Sequence, residues 1–386
     1  MKQLFFGIKL TALIFLLLSC FTVPVFAESD EDPFTESIPE EYTDFLETVP
    51  EEILELLPDG LFSSNSEDVG NAVSEISDFS YLLQTVLSLV GFSLGDCVKL
   101  FAFLAGLLLI SSVCRTVQTS LHRESVARAF SFCSTLIITV ALLSKGYESI
   151  QSVSNYFSTL NTITAASIPL TGALYAIGGN LSAAAGSTAS LSVFMTVLEE
   201  LVGKSIVPFC SICLAFALVG SLDPSLRIGT LSSTLKKNYT TALSFFMMLL
   251  LAMLSAQTVL GAHSDTLAMR SVKFATGNMI PVVGGSISEL LRSVSAGIGY
   301  LRGTVGICAL LLLLLFLLPT LIELFLVRFT WQLSASLADL LGCDSEKKLL
   351  EEFASINGYL IAAIAICSSV LILSFTLLLN CVSAIG

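Results

Sequence analysis

The chain has 386 residues, of which 54% are hydrophobic and 13% are charged, with a mean hydropathy of +0.86 and a formal net charge of −13. Soluble domains carry about 25% charged residues, so this composition excludes an ordinary soluble protein and indicates an integral membrane protein. No cluster of basic residues forms the face that a nucleic-acid-binding protein needs, so nucleic acid is not an expected partner.

The first 27 residues have the pattern of a secretory signal. Lys2 and Lys9 precede a short apolar stretch that runs from Leu10 to Phe21, and small residues around Ala27 offer a cleavage site. Two alternatives remain open: an uncleaved membrane anchor, and lipoprotein-type cleavage that leaves a lipidated Cys20. All three place the segment that follows, residues 28–80, outside the cytoplasm.

Residues 28–80 are a strongly acidic segment. They contain 17 of the 31 acidic residues and no Lys or Arg, whereas the rest of the chain is close to neutral. Four prolines interrupt any long helix here, although short amphipathic helices fit the pattern around Phe45 and Ile53. We predict an extracytoplasmic segment, which is either a solvated spacer or a docking surface for a partner.

Residues 81–386 predict an all-α polytopic membrane domain with six to eight transmembrane helices, because about 20 apolar residues span a bilayer. Residues 81–94 are shorter and interrupted, which favours an interfacial helix. Two weaker spans are rich in small residues and are expected inside the bundle: 157–178 and 181–198. The clear spans are 97–114, 126–143, 205–222, 240–262, 305–327 and 356–380.

The basic residues of the loops predict the topology. Loops 115–128 and 223–239 each carry three Lys or Arg and are therefore expected in the cytoplasm, with four spans between them. Region 263–304 is also basic, but one strong span alone separates it from 223–239. We therefore prefer a re-entrant or broken helix within residues 276–300.

The stretch from Lys273 to Gly285 is the best candidate for such a break. It contains Asn278, Pro281, Gly284 and Gly285, which are poor material for a regular spanning helix. Irregular backbone at membrane depth must be shielded by protein or line a wet cavity. These four residues are therefore candidate pore or broken-helix residues.

A weak internal repeat points to a second candidate. Ser167–Gly172 resembles Met279–Gly284, since each has an Ile-Pro pair followed by a glycine. Paired Pro/Gly-interrupted segments mark the central site of repeat-built transporters. Pro169 and Gly172 therefore join the candidate broken-helix residues, although chance accounts for the similarity about as well as duplication.

Three charged residues near the spans are candidate intramembrane charges. Glu323 lies inside span 305–327, where a charge is costly and usually faces protein or water. If the span ends near Pro319, Glu323 is interfacial instead. Glu200 and Lys204 are four residues apart and can pair on one helix face, which also suits a membrane boundary. Trp331, the single tryptophan, suits a headgroup anchor.

The residues offer no catalytic or cofactor-binding set. The two histidines belong to no recognisable constellation, and Cys210 and Cys213 have metal-like spacing without a second pair. Gly203-Lys204-Ser205 resembles the end of a phosphate-binding loop, but position 198 is Leu where that motif needs Gly. We predict no enzyme activity, no cofactor and no metal site.

The order of these features resembles the stage III sporulation protein AE family of endospore-forming bacteria. The signal, the acidic external segment and the polytopic core are similar, and Gly203-Lys204-Ser205 with Pro208 gives further support. The most specific similarity is in the residues Arg270, Lys273, Phe274, Gly277, Asn278, Ile280, Pro281, Val282 and Gly284.

The resemblance implies a multi-pass subunit of the channel complex between mother cell and forespore, located in the mother-cell membrane around the forespore. The implied partners are the other proteins of the stage III sporulation A operon, including a secretion-type ATPase and ring-forming proteins. The expected role is a platform or permease-like component needed for spore development, with homo-oligomers as one option.

Two other functions remain open. A stand-alone secondary transporter of a small solute would use Glu323 as its coupling carboxylate. A non-conducting scaffold would depend on cytoplasmic residues such as Arg115, Arg123, Lys236 and Lys237.

Overall fold

A computed structural model of the chain describes residues 40–50, 71–72, 75, 79–120, 124–177, 181–222, 228–279 and 284–379. The described residues are helical almost throughout and include no strand, which confirms the all-α prediction. The helices are α1 (Glu40–Glu47), α2 (Phe79–Ser120), α3 (Glu124–Ile177), α4 (Leu181–Val197), a π-helical turn (Leu198–Gly203), α5 (Ile206–Leu222), α6 (Ile228–Met279), α7 (Gly284–Leu340) and α8 (Asp344–Leu379).

Five stretches among the described residues are long and apolar enough to cross a membrane. Helix α3 is not one of them, but it runs beside the middle of α7 and α8, so six long helical runs form the bundle. Helix α2 also includes residues 81–94, which we predicted as a separate interfacial helix. The five stretches are Gln84–Cys114, Ala184–Gly220, Thr230–Ala256, Val305–Leu340 and Asp344–Thr376.

Helix α3 corrects the predicted spans 126–143 and 157–178, because both belong to this one helix of 54 residues. The residues between them looked like a loop because they include Lys145, Glu148 and Gln151. These residue types are good helix formers, and they lie on the exposed side of α3 while the opposite side is buried. Two helical runs, α3 and α4–α5, therefore separate the two basic regions, instead of the predicted four spans.

The described residues of the basic regions 115–128 and 223–239 nevertheless lie at one end of the bundle. Ser111 of α2 donates a hydrogen bond to Glu346 in the first turn of α8, over 2.9 Å. Ser232, near the start of α6, donates one to Glu352, eight residues into α8. The end of α2 and the starts of α6 and α8 therefore share this end, which we call the common end.

The hairpin of α2 and α3 extends past this end. Helix α2 continues for nine residues beyond Ser111, which is about 13 Å at 1.5 Å per residue. Helix α3 begins 22 residues before Gly146, which packs on Phe353, only nine residues into α8. Helix α3 therefore reaches about 20 Å beyond the start of α8.

The turn between α7 and α8 has a specific chemical cause. Gly342 has a φ of 71°, a left-handed conformation that favours glycine. Its N–H bonds to Asp339, and the N–H of Cys343 bonds to Ala338 over 2.8 Å. These two bonds form a Schellman motif, which ends α7 and lets α8 start after three residues. Most of the residues between the predicted spans 305–327 and 356–380 are therefore helical.

Helices α7 and α8 form the centre of the bundle. Every residue of α7 from Val305 to Leu317 is buried except the half-buried Ile307, so the helix is covered on all sides. Trp331 is also fully buried and packs on Phe353, with ring centroids 5.4 Å apart. The prediction that Trp331 is a headgroup anchor is therefore wrong, because its ring fills the interface between α7 and α8.

Helix α1, in the acidic segment, packs on the opposite end of the bundle. Tyr42 lies 3.1 Å from the thiol of Cys308, and the ring of Phe45 lies 6.5 Å from that of Phe375. Phe375 is 31 residues into α8, which places it about 45 Å from the common end. Burial raises the pKa of the Tyr42 phenol above its ordinary value.

We expect a Phe45→Ala variant to release α1 while the bundle stays folded. Phe45 is fully buried, and truncating a buried Phe costs about 3–5 kcal/mol. A helix of two turns is not stable by itself in water, so α1 cannot compensate for this loss of packing energy. Limited proteolysis of the purified protein should then cut within residues 40–50. The exposed neighbour Thr43 gives the control Thr43→Ala, which should resist the protease like the parent protein.

Candidate functional site

The candidate residues around Pro281 lie at a helix junction. Asn278 lies in the last turn of α6, and Gly284 and Gly285 begin α7. Pro281 lies outside the described residues. Helix α6 continues through Lys273 and Gly277 to Met279, so this part of the predicted broken stretch is helical. The re-entrant path and the pore role of these residues stay predictions.

Pro169 and Gly172 lie inside α3, which is continuous through both residues. The helix therefore has no break there, in contrast to the expected one. Gly172 instead marks a close approach to α4, because a Cβ added there would lie 3.2 Å from Cγ2 of Thr188. Small residues of this kind let two membrane helices pack closely.

Glu323 lies near the middle of the apolar stretch Val305–Leu340, because α7 continues through Pro319. Ser152 of α3 donates a hydrogen bond of 3.5 Å to its carboxylate. On the same helix, Lys145 pairs with Glu148 over 2.5 Å. The side-chain hydroxyl and the nearby charges give Glu323 a polar setting within an apolar helix.

Glu200 and Lys204 form the predicted ion pair, and Glu199 lies 3.9 Å from the same Lys nitrogen. All three side chains are more than half exposed. Glu199 and Glu200 lie in the π-helical turn and Lys204 follows it, and the turn joins α4 and α5 within the apolar stretch Ala184–Gly220. π-Helical turns often occur at functional sites. The ion pair therefore lies within the apolar stretch Ala184–Gly220, and its depth in the membrane stays a prediction.

Lys236 of α6 carries a buried charge, with a side chain that is 7% exposed. Its ammonium group donates a hydrogen bond of 2.9 Å to Glu352 and one of 2.7 Å to Ser355, both on α8. Ser232, one turn earlier on α6, also donates to Glu352. We call these four residues the polar core cluster, and they join α6 to α8.

Aromatic rings continue this contact towards the π-helical turn. The ring of Phe209 in α5 lies 4.7 Å from that of Tyr239 in α6 and 5.0 Å from that of Tyr359 in α8. The Tyr239 hydroxyl contacts Ser205 and donates to the carbonyl of Leu201 in the turn. Tyr239 therefore links the irregular backbone of the turn to the polar core cluster.

The polar core cluster was missed because region 223–239 was predicted to be a loop. Helix α6 begins at Ile228, and Lys236 is buried instead of facing the cytoplasm. The sequence holds a signal for it. Ser232, Lys236 and Tyr239 lie four and three residues apart, and polar residues at this spacing share one face of a helix. Glu352, Ser355 and Tyr359 have the same pattern in α8.

Lys236, Glu352 and Glu323 lie in a band of the bundle about 13 Å thick, which we call the charged layer. Lys236 and Glu352 are each eight residues from the start of their helix, and Glu323 is 17 residues before the end of α7. These separations correspond to about 12 and 25 Å from the common end. The layer can position hydrated solutes or fix the helix register. No group of three or more metal-ligating side chains occurs within the described ranges.

The fold and the charged layer define a class: an all-helical, multi-pass membrane protein with ionisable groups inside its spanning bundle. Residues 68–382 match the family model for stage III sporulation protein AE, so the chain belongs to that family and has a role in sporulation. A relative is the stage III sporulation protein AE of Bacillus subtilis (strain 168). It is 25% identical over 302 residues, which cover 78% of this chain and 74% of the relative. No solved structure matches the chain.

Proposed function

We propose that the chain is a non-enzymatic, platform or permease-like membrane subunit of the sporulation channel complex between mother cell and forespore. Membership of a stage III sporulation family supports the process, and the spanning helices support the membrane location. The observation that carries the permease-like role is the charged layer. Ionisable groups inside a bilayer are costly and usually mark a path for ions or substrates.

The proposed location is the mother-cell membrane around the forespore, with the acidic segment outside the cytoplasm. The common end bears both basic regions, which favours its placement in the cytoplasm. Helix α1 then lies on the extracytoplasmic side, as the proposed signal requires. The proposed partners are the operon's secretion-type ATPase at the common end and its ring-forming proteins on the opposite side.

Variants at the start of α7 test this function in sporulating cells. Gly284→Leu and Gly285→Leu are expected to block the formation of heat-resistant spores while the protein still reaches the membrane. Leucine would fill any gap in the backbone that these glycines leave open. An immunoblot of membranes controls for the amount of protein. If both variants sporulate normally, the junction of α6 and α7 has no channel role.

A stand-alone secondary transporter is the second candidate, because Glu323 accepts a hydrogen bond from Ser152 in the middle of a spanning stretch. This function predicts solute uptake by the purified chain in liposomes, and loss of that uptake in a Glu323→Gln variant. The channel-subunit proposal instead predicts that sporulation requires co-purifying operon proteins. Uptake by the chain alone would favour the transporter.

A non-conducting scaffold remains the third candidate. Because Lys236 is buried in an ion pair, its substitution would unfold the bundle under every hypothesis and no longer tests this one. Lys237 is exposed and suits the test instead. A scaffold predicts that Lys237→Ala, together with Arg115→Ala, weakens binding of the ATPase while Glu323→Gln leaves sporulation intact.

A further inference from the structure

The outer side of α3 carries a continuous row of polar residues that no contact within the described bundle covers. We call it the outer polar row, and every member is exposed: Ser144, Glu148, Gln151, Asn155, Ser158 and Thr162. Their spacing alternates between four and three residues, so they lie on one face of the helix. The row runs over 19 residues, or about 27 Å, which nearly equals the hydrocarbon thickness of a bilayer.

The depth of the row is fixed by the opposite side of α3. Gly146 packs on Phe353, Tyr156 bonds to Ser368 over 2.6 Å, and the rings of Tyr156 and Phe316 stack 4.7 Å apart. Phe316, Phe353 and Ser368 all belong to the apolar stretches of α7 and α8. The outer polar row therefore runs alongside the spanning part of the bundle.

Two other outward faces are largely apolar, although α2 also exposes the ion pair of Asp96 and Lys99. Helix α6 exposes Phe245, Met248 and Leu249, and α2 exposes Val98 and Phe103. Such faces suit lipid. The outer polar row does not, because hydrocarbon offers no partner to amide, hydroxyl or charged groups. Gln151 bonds to Asn155 over 3.1 Å, but these side chains keep further donors and acceptors.

A second polar face lies on the neighbouring helix. Ser192 and Thr196 of α4 are exposed, and Glu199 and Gly203 continue this face into the π-helical turn. Helix α4 runs antiparallel to α3, since Gly172 approaches Thr188 and α3 also contacts the turn. Two adjacent elements thus expose polar groups at a similar depth.

We infer that the outer polar row lines an aqueous path whose remaining walls are further copies of this chain. The centre of one bundle is filled by the buried side chains of α7, so the path runs beside the bundle and not through it. Glu148 of the row pairs with Lys145 beside the row, and Gln151 pairs with Asn155, so a second copy offers the row groups of both signs and further amides. The path suits small hydrated solutes and selects weakly for charge. This inference rests on the proposed permease-like function.

Cysteine scanning of the full-length chain in membranes tests the inference. Single cysteines are introduced by Glu148→Cys, Gln151→Cys, Asn155→Cys and Ser158→Cys, and treated with a charged, membrane-impermeant thiosulfonate. Peptide mass spectrometry reads each position, so the native cysteines can stay. Matched controls are Phe245→Cys and Met248→Cys, on a lipid-facing side. Val153→Cys tests the buried side of α3.

The row cysteines are expected to react at least about tenfold faster than the controls, because a thiol facing hydrocarbon stays in its unreactive protonated form. The purified Asn155→Cys protein in vesicles should also form disulfides between copies under mild oxidation. Row positions that react no faster than Phe245→Cys would overturn the aqueous path. If the row positions react but form no disulfides between copies, the proposal that further copies of this chain line the path is wrong. Cross-links to another protein alone would contradict it in the same way.

The test separates this inference from the proposed function, because it needs no sporulating cells. Reactive, cross-linking positions together with normal sporulation of the Gly284→Leu variant would leave the inference standing and remove the junction as a channel element. Unreactive positions together with blocked sporulation of the Gly284→Leu variant would remove the inference and leave the junction standing as a channel element.

Discussion

A Glu352→Leu variant is expected to lose most of its folded protein. Removing the Glu352 carboxylate leaves the buried ammonium group of Lys236, which is 7% exposed, without its counter-charge. Breaking a buried pair in this way costs about 3–5 kcal/mol, a large share of the roughly 5–15 kcal/mol that keeps a domain folded. Size-exclusion chromatography and the thermal midpoint of the detergent-solubilised protein would measure the loss.

The matched control is Glu351→Leu, which changes the exposed neighbour of Glu352 and should alter stability by less than about 0.5 kcal/mol. The double variant Lys236→Met with Glu352→Leu should recover much of the folded protein, because replacing both charges by apolar groups is often neutral. A double variant as unstable as Glu352→Leu alone would show that the ion pair itself is not the cause.

A Gly146→Ala variant is expected to destabilise the contact between α3 and α8 by about 1–3 kcal/mol. The new Cβ would lie 2.9 Å from Cδ1 of Phe353 and closer still to Cε1. The Phe353 ring cannot easily move, because it is buried and packs on Trp331. We expect a lower thermal midpoint, with a larger loss for Gly146→Val.

Gly106→Ala in α2 is the matched control, since nothing lies within 4 Å of a Cβ added there. This change should stabilise the helix by up to about 1 kcal/mol, because alanine is the better helix former. Combining Gly146→Ala with Phe353→Leu should restore part of the lost stability by removing the ring. Equal midpoints for Gly146→Ala and Gly106→Ala would contradict the close approach.

The sequence alone predicts the class of the fold because apolar stretches of spanning length leave few alternatives. It does not predict how those stretches join. Lys145 and Glu148 fall between the predicted spans 126–143 and 157–178, because an exposed polar face inside a membrane helix contradicts the usual pattern. The structure shows one helix, α3, whose inner side packs on α7 and α8 while these charges face outwards.

The candidate site was only partly predictable for a related reason. The pair of Glu200 and Lys204 follows from local spacing, and the structure contains it. The contact of Lys236 with Glu352 joins residues 116 positions apart, so nothing local indicates it. What the sequence does contain is the shared face of Ser232, Lys236 and Tyr239, and that pattern becomes readable once the region is treated as helix.

The α2–α3 hairpin has a mechanical consequence. Helix α3 begins about 20 Å beyond the start of α8 and runs without a break past Tyr156, deep in the bundle. A protein that binds α3 near Glu124, where the helix begins, would therefore hold one end of a long rigid helix. A force applied there would be transmitted along α3 towards Ile177, because the helix is continuous and has no hinge.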